Sequence, residues 1–170
     1  MLIRQEKKAD YAAVYSVVKK AFETAEKSDG NEQELVEKLR KSNSFIPELS
    51  LVAVEDEIIV GHILFTKAYV GANIVLALAP LSVLPEYQRK GIGTALITEG
   101  HRIAQEMGYD YSVVLGHSQY YPKFGYIPAS LYDIKPSFDV SDENFMAVKL
   151  NECAKHIEGF VEYDEAFGID

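Results

Sequence analysis

The chemistry of this chain points first to residues 83–93, which read Val-Leu-Pro-Glu-Tyr-Gln-Arg-Lys-Gly-Ile-Gly and run straight into an apolar-periodic helix. A buried strand ends, Pro85 turns the chain, and a basic, glycine-punctuated loop opens the helix. The first turn of a helix leaves backbone N–H groups unpaired and carries the positive end of the helix dipole. Such a point binds phosphate. Gly91 and Gly93 let the backbone approach an anion closely. Arg89 and Lys90 add positive charge to a protein whose formal net charge is −9.

Known phosphate loops narrow the reading. A P-loop needs four residues between its glycines and then Gly-Lys-Ser/Thr, which this segment lacks. A dinucleotide-binding fingerprint needs a third glycine where Leu96 stands, although Asp110 lies roughly where an acidic ribose ligand would. Further along, Tyr120-Tyr121-Pro122-Lys123-Phe124-Gly125-Tyr126 places phenols beside a turn, and His117 precedes them. A phenol can give a proton, and an imidazole of pKa ~6.5 can take one at neutral pH.

The surrounding elements must hold these groups together. Residues 2–5 read as a short strand. Asp10 is a plausible N-cap for a helix whose stripe is Tyr11, Val14, Tyr15, Val18 and Phe22. Ser28-Asp29-Gly30 should break it. Asn31 and Glu34 resemble a capping box for a second helix carrying Leu35, Val36 and Leu39, and Pro47 should close that region. Three strand-like runs follow, at 51–54, from 58 to near 70, and at 74–84. Their short connections favour antiparallel neighbours. The third run is nearly all apolar, so it should be buried on both faces. A helix over about 91–107, with Ile92, Ala95, Leu96, Ile103 and Met107 inward and Gly108 beyond its end, leads to a buried strand at 111–115. Strand, helix, strand is a βαβ unit, so those two strands should be parallel. A loop and short helix then span 116–124, and 145–150 is one further strand. The expected fold class is α/β with a mixed sheet, in one domain over 1–170.

Bulk properties exclude several classes. No apolar run approaches the ~20 residues needed to cross a bilayer, so no membrane partner is expected. The acidic balance argues against nucleic acid. The N-terminus shows no signal peptide, and the single cysteine, Cys153, cannot form an internal disulfide, so a cytoplasmic location is expected. His62, His101, His117 and His156 show no metal-ligand spacing with one another or with Cys153, and no metal is expected.

Gln88-x-x-Gly91-x-Gly93 after a buried strand resembles the acyl-CoA-binding motif of the GCN5-related N-acetyltransferase (GNAT) family. The tyrosine four residues before Gly125-Tyr126 resembles that family's second signature. The order of elements is also similar, and residues 159–167 resemble the tail of an uncharacterised bacterial subgroup. The likeness covers essentially the whole chain. It implies a GNAT-like fold, with a mostly antiparallel sheet and a central parallel strand pair that splays apart.

The resemblance further implies that the donor's pantetheine arm lies in that splay. The backbone of Leu81, Ser82 and Val83 would pair with it, and residues 111–115 would be the splayed partner. Gln88, Arg89, Lys90, Gly91, Ile92, Gly93 and Thr94 would hold the diphosphate of acetyl-CoA. Pro80 could help end ordinary pairing there or simply mark a bulge. Tyr121 stands where the family's general acid stands, with Tyr120 as the alternative. A backbone N–H near Val83 would serve the oxyanion. The family often carries a glutamate on the pantetheine-pairing strand, but 74–84 holds no carboxylate. His117 is therefore the candidate base, with Glu23, Glu55 and His62 behind it. The segment 116–121 is too short for the family's asparagine contact. The implied activity is acetyl transfer to a primary amine of a small molecule or protein in a ternary complex. The alternative is a non-catalytic acyl-CoA sensor. The acceptor is not legible, and a homodimer is left open.

Overall fold

In the computed structural model, which describes residues 1–25 and 28–169, the apolar runs form an antiparallel series. Strands β1 (Leu2–Gln5), β2 (Phe45–Glu55), β3 (Ile58–Val70) and β4 (Asn73–Val83) lie side by side in that order. The β2–β3 turn places Asp56 and Glu57 at positive φ, 50° and 66°. Two such residues make the hairpin turn whose twist matches that of the flanking strands.

Beyond β4 the chain crosses through α3 (Ile92–Glu106) to β5 (Tyr111–Leu115), which pairs with β4 in parallel. Strand β8 (Phe145–Lys149) pairs antiparallel with β5, and β6 (Ile127–Pro128) pairs with β8. Strand β9 (Gly159–Glu162) returns to the end of β3 and takes the two-residue β7 (Ile134–Lys135) on its other side. The sheet is thus mixed and mostly antiparallel, with the parallel β4–β5 pair at its centre, as expected.

Alternation along the strands sets the two faces. Leu51, Ala53, Ile63 and Phe65 meet Leu96 and Ile97 of α3, whereas Val52 and Leu64 meet Val14 and Val18 of α1 (Tyr11–Phe22) and Val36 and Leu39 of α2 (Glu32–Arg40). Leu96 and Ile97 are fully buried, each contributing about 2 kcal/mol of apolar transfer. Gly100 lets α3 lie directly on β3, since a Cβ there would fall 2.4 Å from Phe65 Cε2.

Several local expectations are corrected. Helix α1 ends at Phe22, before Ser28-Asp29-Gly30, where the apolar stripe gives way to exposed Glu23 and Thr24. Asp10 occupies the N-cap position, but its carboxylate turns back to accept from Lys7 N–H (2.7 Å) and the Arg4 guanidinium (2.7 Å). Asn31 makes no side-chain cap, and Glu34 accepts instead from the Tyr15 hydroxyl (2.5 Å). Pro47 lies within β2, which begins at Phe45. It is tolerated there because β1 reaches only as far as Leu51 and the β2–β3 register is irregular between Phe45 and Ser50. Met107 follows the last turn of α3 and is exposed, while Ile97, Gly100 and Ala104 take the inner face.

Candidate functional site

A wedge opens between the two central strands. Parallel pairing of β4 with β5 is confined to Leu76–Ser112 and Ala77–Val113, yet β4 continues to Val83. Near the apex, β4 carries an extra residue against β3: Ile63 faces Leu81 and Phe65 faces Leu78, leaving Leu64 opposite Ala79 and the cis-bonded Pro80. That is a bulge, and Pro80 also brings no N–H to this stretch.

The register fixes which peptide groups face the gap. Leu84 N–H donates to Val60 O (2.9 Å). In an antiparallel ladder such pairs alternate, so Ser82 exchanges its peptide hydrogen bonds with His62. Leu81 and Val83 therefore turn their N–H and C=O groups away from β3 and into the wedge. Ser82 differs from its two neighbours, because its peptide groups belong to β3 and its side chain is buried on the α1 face. Gln88 Nε2 donates to Val83 O (3.0 Å), which ties the mouth loop to the strand and leaves Val83 N–H free for the wedge.

At the mouth, Gly91 is the N-cap of α3 with φ +85°, and a Cβ placed on it would meet no atom within 4 Å. Arg89 also has positive φ, 63°. The helix has no side-chain cap, and its first backbone bond runs from Ala95 N–H to Gly91 O (3.0 Å). Among the described residues, the N–H groups of Ile92, Gly93 and Thr94 find no acceptor. The Ile92 side chain is buried in the core, so it offers only its backbone. A pocket of about 700 Å³ opens here, lined by Gln88, Arg89, His117, Ser118, Gln119, Tyr120 and Asn144. That volume suits a small-molecule site.

Past the end of β5 the chain is held at Gly116, whose N–H donates to Asn144 O (2.9 Å) and whose carbonyl accepts from Asn144 Nδ2 (3.0 Å). The His117 carbonyl accepts from the Tyr120 and Tyr121 amides (3.1 and 3.4 Å) and so starts the short turn Tyr121–Phe124. The Tyr121 ring lies against Gly116, where a Cβ would fall 2.3 Å from its Cε2. Its other neighbours are Tyr120 and Tyr126, with ring centroids 5.1 and 5.7 Å away in edge-on contacts. The Tyr126 hydroxyl in turn pairs with Ser112 Oγ (2.8 Å) at the wedge apex and His101 Nε2 (3.0 Å) on α3. Burial raises the pKa of all three phenols, most strongly at Tyr121 and Tyr126. Each phenol is therefore a protonated donor at neutral pH. Burial also pulls His101 down to about 4.

The candidate bases separate. His117 is exposed at the pocket wall. His62 is fully buried, and burial together with nearby Arg40 pushes it down to about 3. Its Nε2 pairs with Ser50 Oγ (3.0 Å), and Ser50 donates to Glu6 Oε1 (2.9 Å), which is bridged to Arg40 (2.5 Å). Ser50 has one proton and gives it to Glu6, so His62 Nε2 carries its own. The imidazole is a neutral structural partner, sealed away from the wedge. Glu23 is exposed just past α1, and Glu55 ends β2 at the hairpin. Elsewhere, exposed Asp133, His156 and Glu158 bring one ligand atom each within 4.8 Å of one another, a cluster that exposed acidic surfaces form without a metal. Sequence reasoning missed Asn144, Ser112 and Gly116. Only the shortness of 116–121 hinted that support for the tyrosines comes from elsewhere in the chain.

With this geometry in view, comparison with known proteins gives a consistent result. A family model for the acetyltransferase (GNAT) family matches residues 11–126. The uncharacterized N-acetyltransferase YhbS of Escherichia coli K12 is 32% identical over 171 residues, covering 98% of each chain. The uncharacterized N-acetyltransferase YjhQ of the same organism is 38% identical over 127 residues, covering 72% of this chain and 67% of its own. The crystal structure of E. coli YhbS in complex with CoA superposes with a TM-score of 0.89, at 29% identity over 98% of this chain and 91% of that one. A GNAT acetyltransferase of Brucella melitensis in complex with acetyl-CoA gives 0.82, at 32% identity over 98% and 97%.

Proposed function

Because this chain belongs to the acetyltransferase (GNAT) family, we propose that it moves an acetyl group from acetyl-CoA to a primary amine by direct attack in a ternary complex. The observation that carries this is the wedge: gap-facing peptide groups on Leu81 and Val83 lead to an uncapped, glycine-led helix start. The CoA and acetyl-CoA complexes of the two structural relatives support the same donor.

The residues present fit that donor. Open space above Gly91 leaves room for a diphosphate against the backbone, and the space left by the missing side chain of Gly93 takes the Tyr120 hydroxyl. Gln88, Arg89, Lys90, Gly91, Ile92, Gly93 and Thr94 would hold it, through successive N–H groups and two cationic side chains. Leu81 and Val83 would pair with the pantetheine amides as a neighbouring strand would, with Ser82 anchoring that segment to β3. Acetyl-CoA supplies an activated carbonyl on a thiol leaving group.

The chain's own groups then divide the proton work. Tyr121, which stands at the position of the family's general acid, gives its phenolic proton to the departing sulfur. A gap-facing backbone N–H on β4 would serve the negative charge that develops on the carbonyl oxygen. His117, at the pocket wall, takes the amine's proton. The acceptor is a small-molecule or protein amine. The lone exposed Cys153 supports a reducing, cytoplasmic setting. Among the described residues no helix is long and apolar enough to cross a membrane.

The test is CoA release with a panel of primary amines, comparing wild type with Tyr121→Phe. Turnover that falls at least tenfold in the variant supports the assignment. The absence of a carboxylate on β4 favours a second reading, a non-catalytic acyl-CoA sensor. Tight acetyl-CoA binding with no turnover on any amine would select it.

A further inference from the structure

Two adjacent tyrosines, with ring centroids 5.1 Å apart, make different contacts at the wedge. Tyr121 packs on Tyr126, whose hydroxyl is bonded to Ser112, and Ser112 is the last residue of β5 but one to pair with β4 before the strands part. Tyr120 leans the other way, toward the mouth. A Cβ on Gly93 would fall 2.6 Å from the Tyr120 hydroxyl oxygen, so that oxygen lies directly over the first turn of α3. Tyr120 also lines the mouth pocket beside Gln88 and Arg89, whereas Tyr121 does not.

The Tyr120 ring is fixed from several sides. It meets Tyr121 at 5.1 Å and Phe124 at 5.3 Å edge-on, and the Lys123 ammonium lies 5.1 Å from its centroid. So held, the hydroxyl stays over Gly93, beside the Thr94 side chain at the start of α3. Burial raises its pKa against an opposing effect of the Thr94 side chain, so it remains a hydrogen-bond donor at neutral pH. A nucleotide-bearing donor laid in the wedge puts its diphosphate at the mouth and its thioester toward the apex.

We propose that Tyr120 is a diphosphate-recognition residue: its hydroxyl, seated on Gly93, adds a side-chain donor to the backbone cradle of α3, while Tyr121 serves the thioester end. The assignment rests on the acetyl-CoA reading above. It explains why residue 93 lacks a side chain in two ways, since a methyl there would both crowd the cradle and displace the Tyr120 hydroxyl. It also divides the tyrosine pair by function, where the sequence left either one eligible as the acid.

The experiment compares two probes by calorimetry: CoA, and pantetheine, which lacks the nucleotide and its diphosphate. Tyr120→Phe keeps the ring and removes only the hydroxyl. It should weaken CoA binding roughly ten- to a hundredfold, as expected for one hydrogen bond to a charged group, and leave pantetheine binding within twofold. Tyr121→Phe should leave CoA binding within twofold and reduce turnover instead. Thermal melting of both variants checks the fold independently. Wild-type-like CoA affinity in Tyr120→Phe overturns the assignment, as does an equal loss for both probes. Tighter CoA binding overturns it too, since Tyr120 would then be an obstruction. A wild type that binds neither probe refutes the acetyl-CoA reading itself, an outcome distinct from any of these.

Discussion

Gly116→Ala places one methyl group against the ring proposed to deliver the leaving-group proton. The new Cβ would stand 2.3, 2.9 and 3.3 Å from Cε2, Cδ2 and Cζ of Tyr121. Ordinary carbon contacts begin near 3.4 Å, so the ring must retreat by roughly 1 Å (van der Waals optima lie near 3.5–4.0 Å). Gly116 does not have positive φ, so alanine brings no backbone strain and the effect is steric. Tyr120 and Tyr126 flank the ring, which limits where it can go. Misplacing a catalytic group by about 1 Å can reduce the rate by about 100-fold, while overpacking at one site costs about 1–3 kcal/mol of stability. The assay is acetyl-CoA-dependent CoA release with the best amine of the panel, read as kcat and KM separately, beside a urea melt. The expected outcome is a kcat lower by about 100-fold, a KM for acetyl-CoA within threefold, and a still-folded protein. In a Tyr121→Phe background the same substitution should cost little further activity, because the group it displaces is already gone. A Gly116→Ala enzyme with wild-type kcat, or one whose loss is undiminished in the Tyr121→Phe background, would refute the placement of the acid.

Other consequences are measurable with the same protein. Glu6→Gln leaves the buried Arg40 guanidinium without its anion, so urea unfolding should show a loss of about 3–5 kcal/mol; a loss under 1 kcal/mol would mean the pair is not sealed from water. His62 and His101 are held at about 3 and about 4, below the ~6.5 of an unfolded chain, so the unfolded state binds more protons between these values. Stability should therefore fall as pH drops below ~6.5, by about 2 kcal/mol per histidine at pH 5; equal unfolding midpoints at pH 7 and pH 5 would contradict their burial as neutral imidazoles. Gln88→Ala frees the Val83 carbonyl and loosens the mouth loop, and the KM for acetyl-CoA should rise about fivefold, equivalent to about 1 kcal/mol. An unchanged KM would show that the tie does not shape the cradle.

The local motifs of this chain are legible in its sequence. The glycine spacing at 91 and 93, the apolar runs and the Gly125-Tyr126 pair after Tyr121 are contiguous signals, and contiguous residues are already neighbours in space. They indicated the order of elements, the parallel strand pair and the uncapped, glycine-led helix start. What lay beyond reach was whatever depends on registers and on residues far apart in the chain. That Leu81 and Val83 face the wedge while Ser82 does not follows from a ladder to β3 that the 74–84 run alone leaves unspecified. That Tyr121 rests on Gly116, that Asn144 clamps Gly116, and that Ser112 and His101 meet at Tyr126 are contacts across tens of residues. That His62 is a sealed structural partner rather than a base depends on Glu6, Arg40 and Ser50 converging from three other elements. Residue type and spacing say which groups could react. Only tertiary packing sets the distances, the exposure and the dielectric surroundings that decide which of them do.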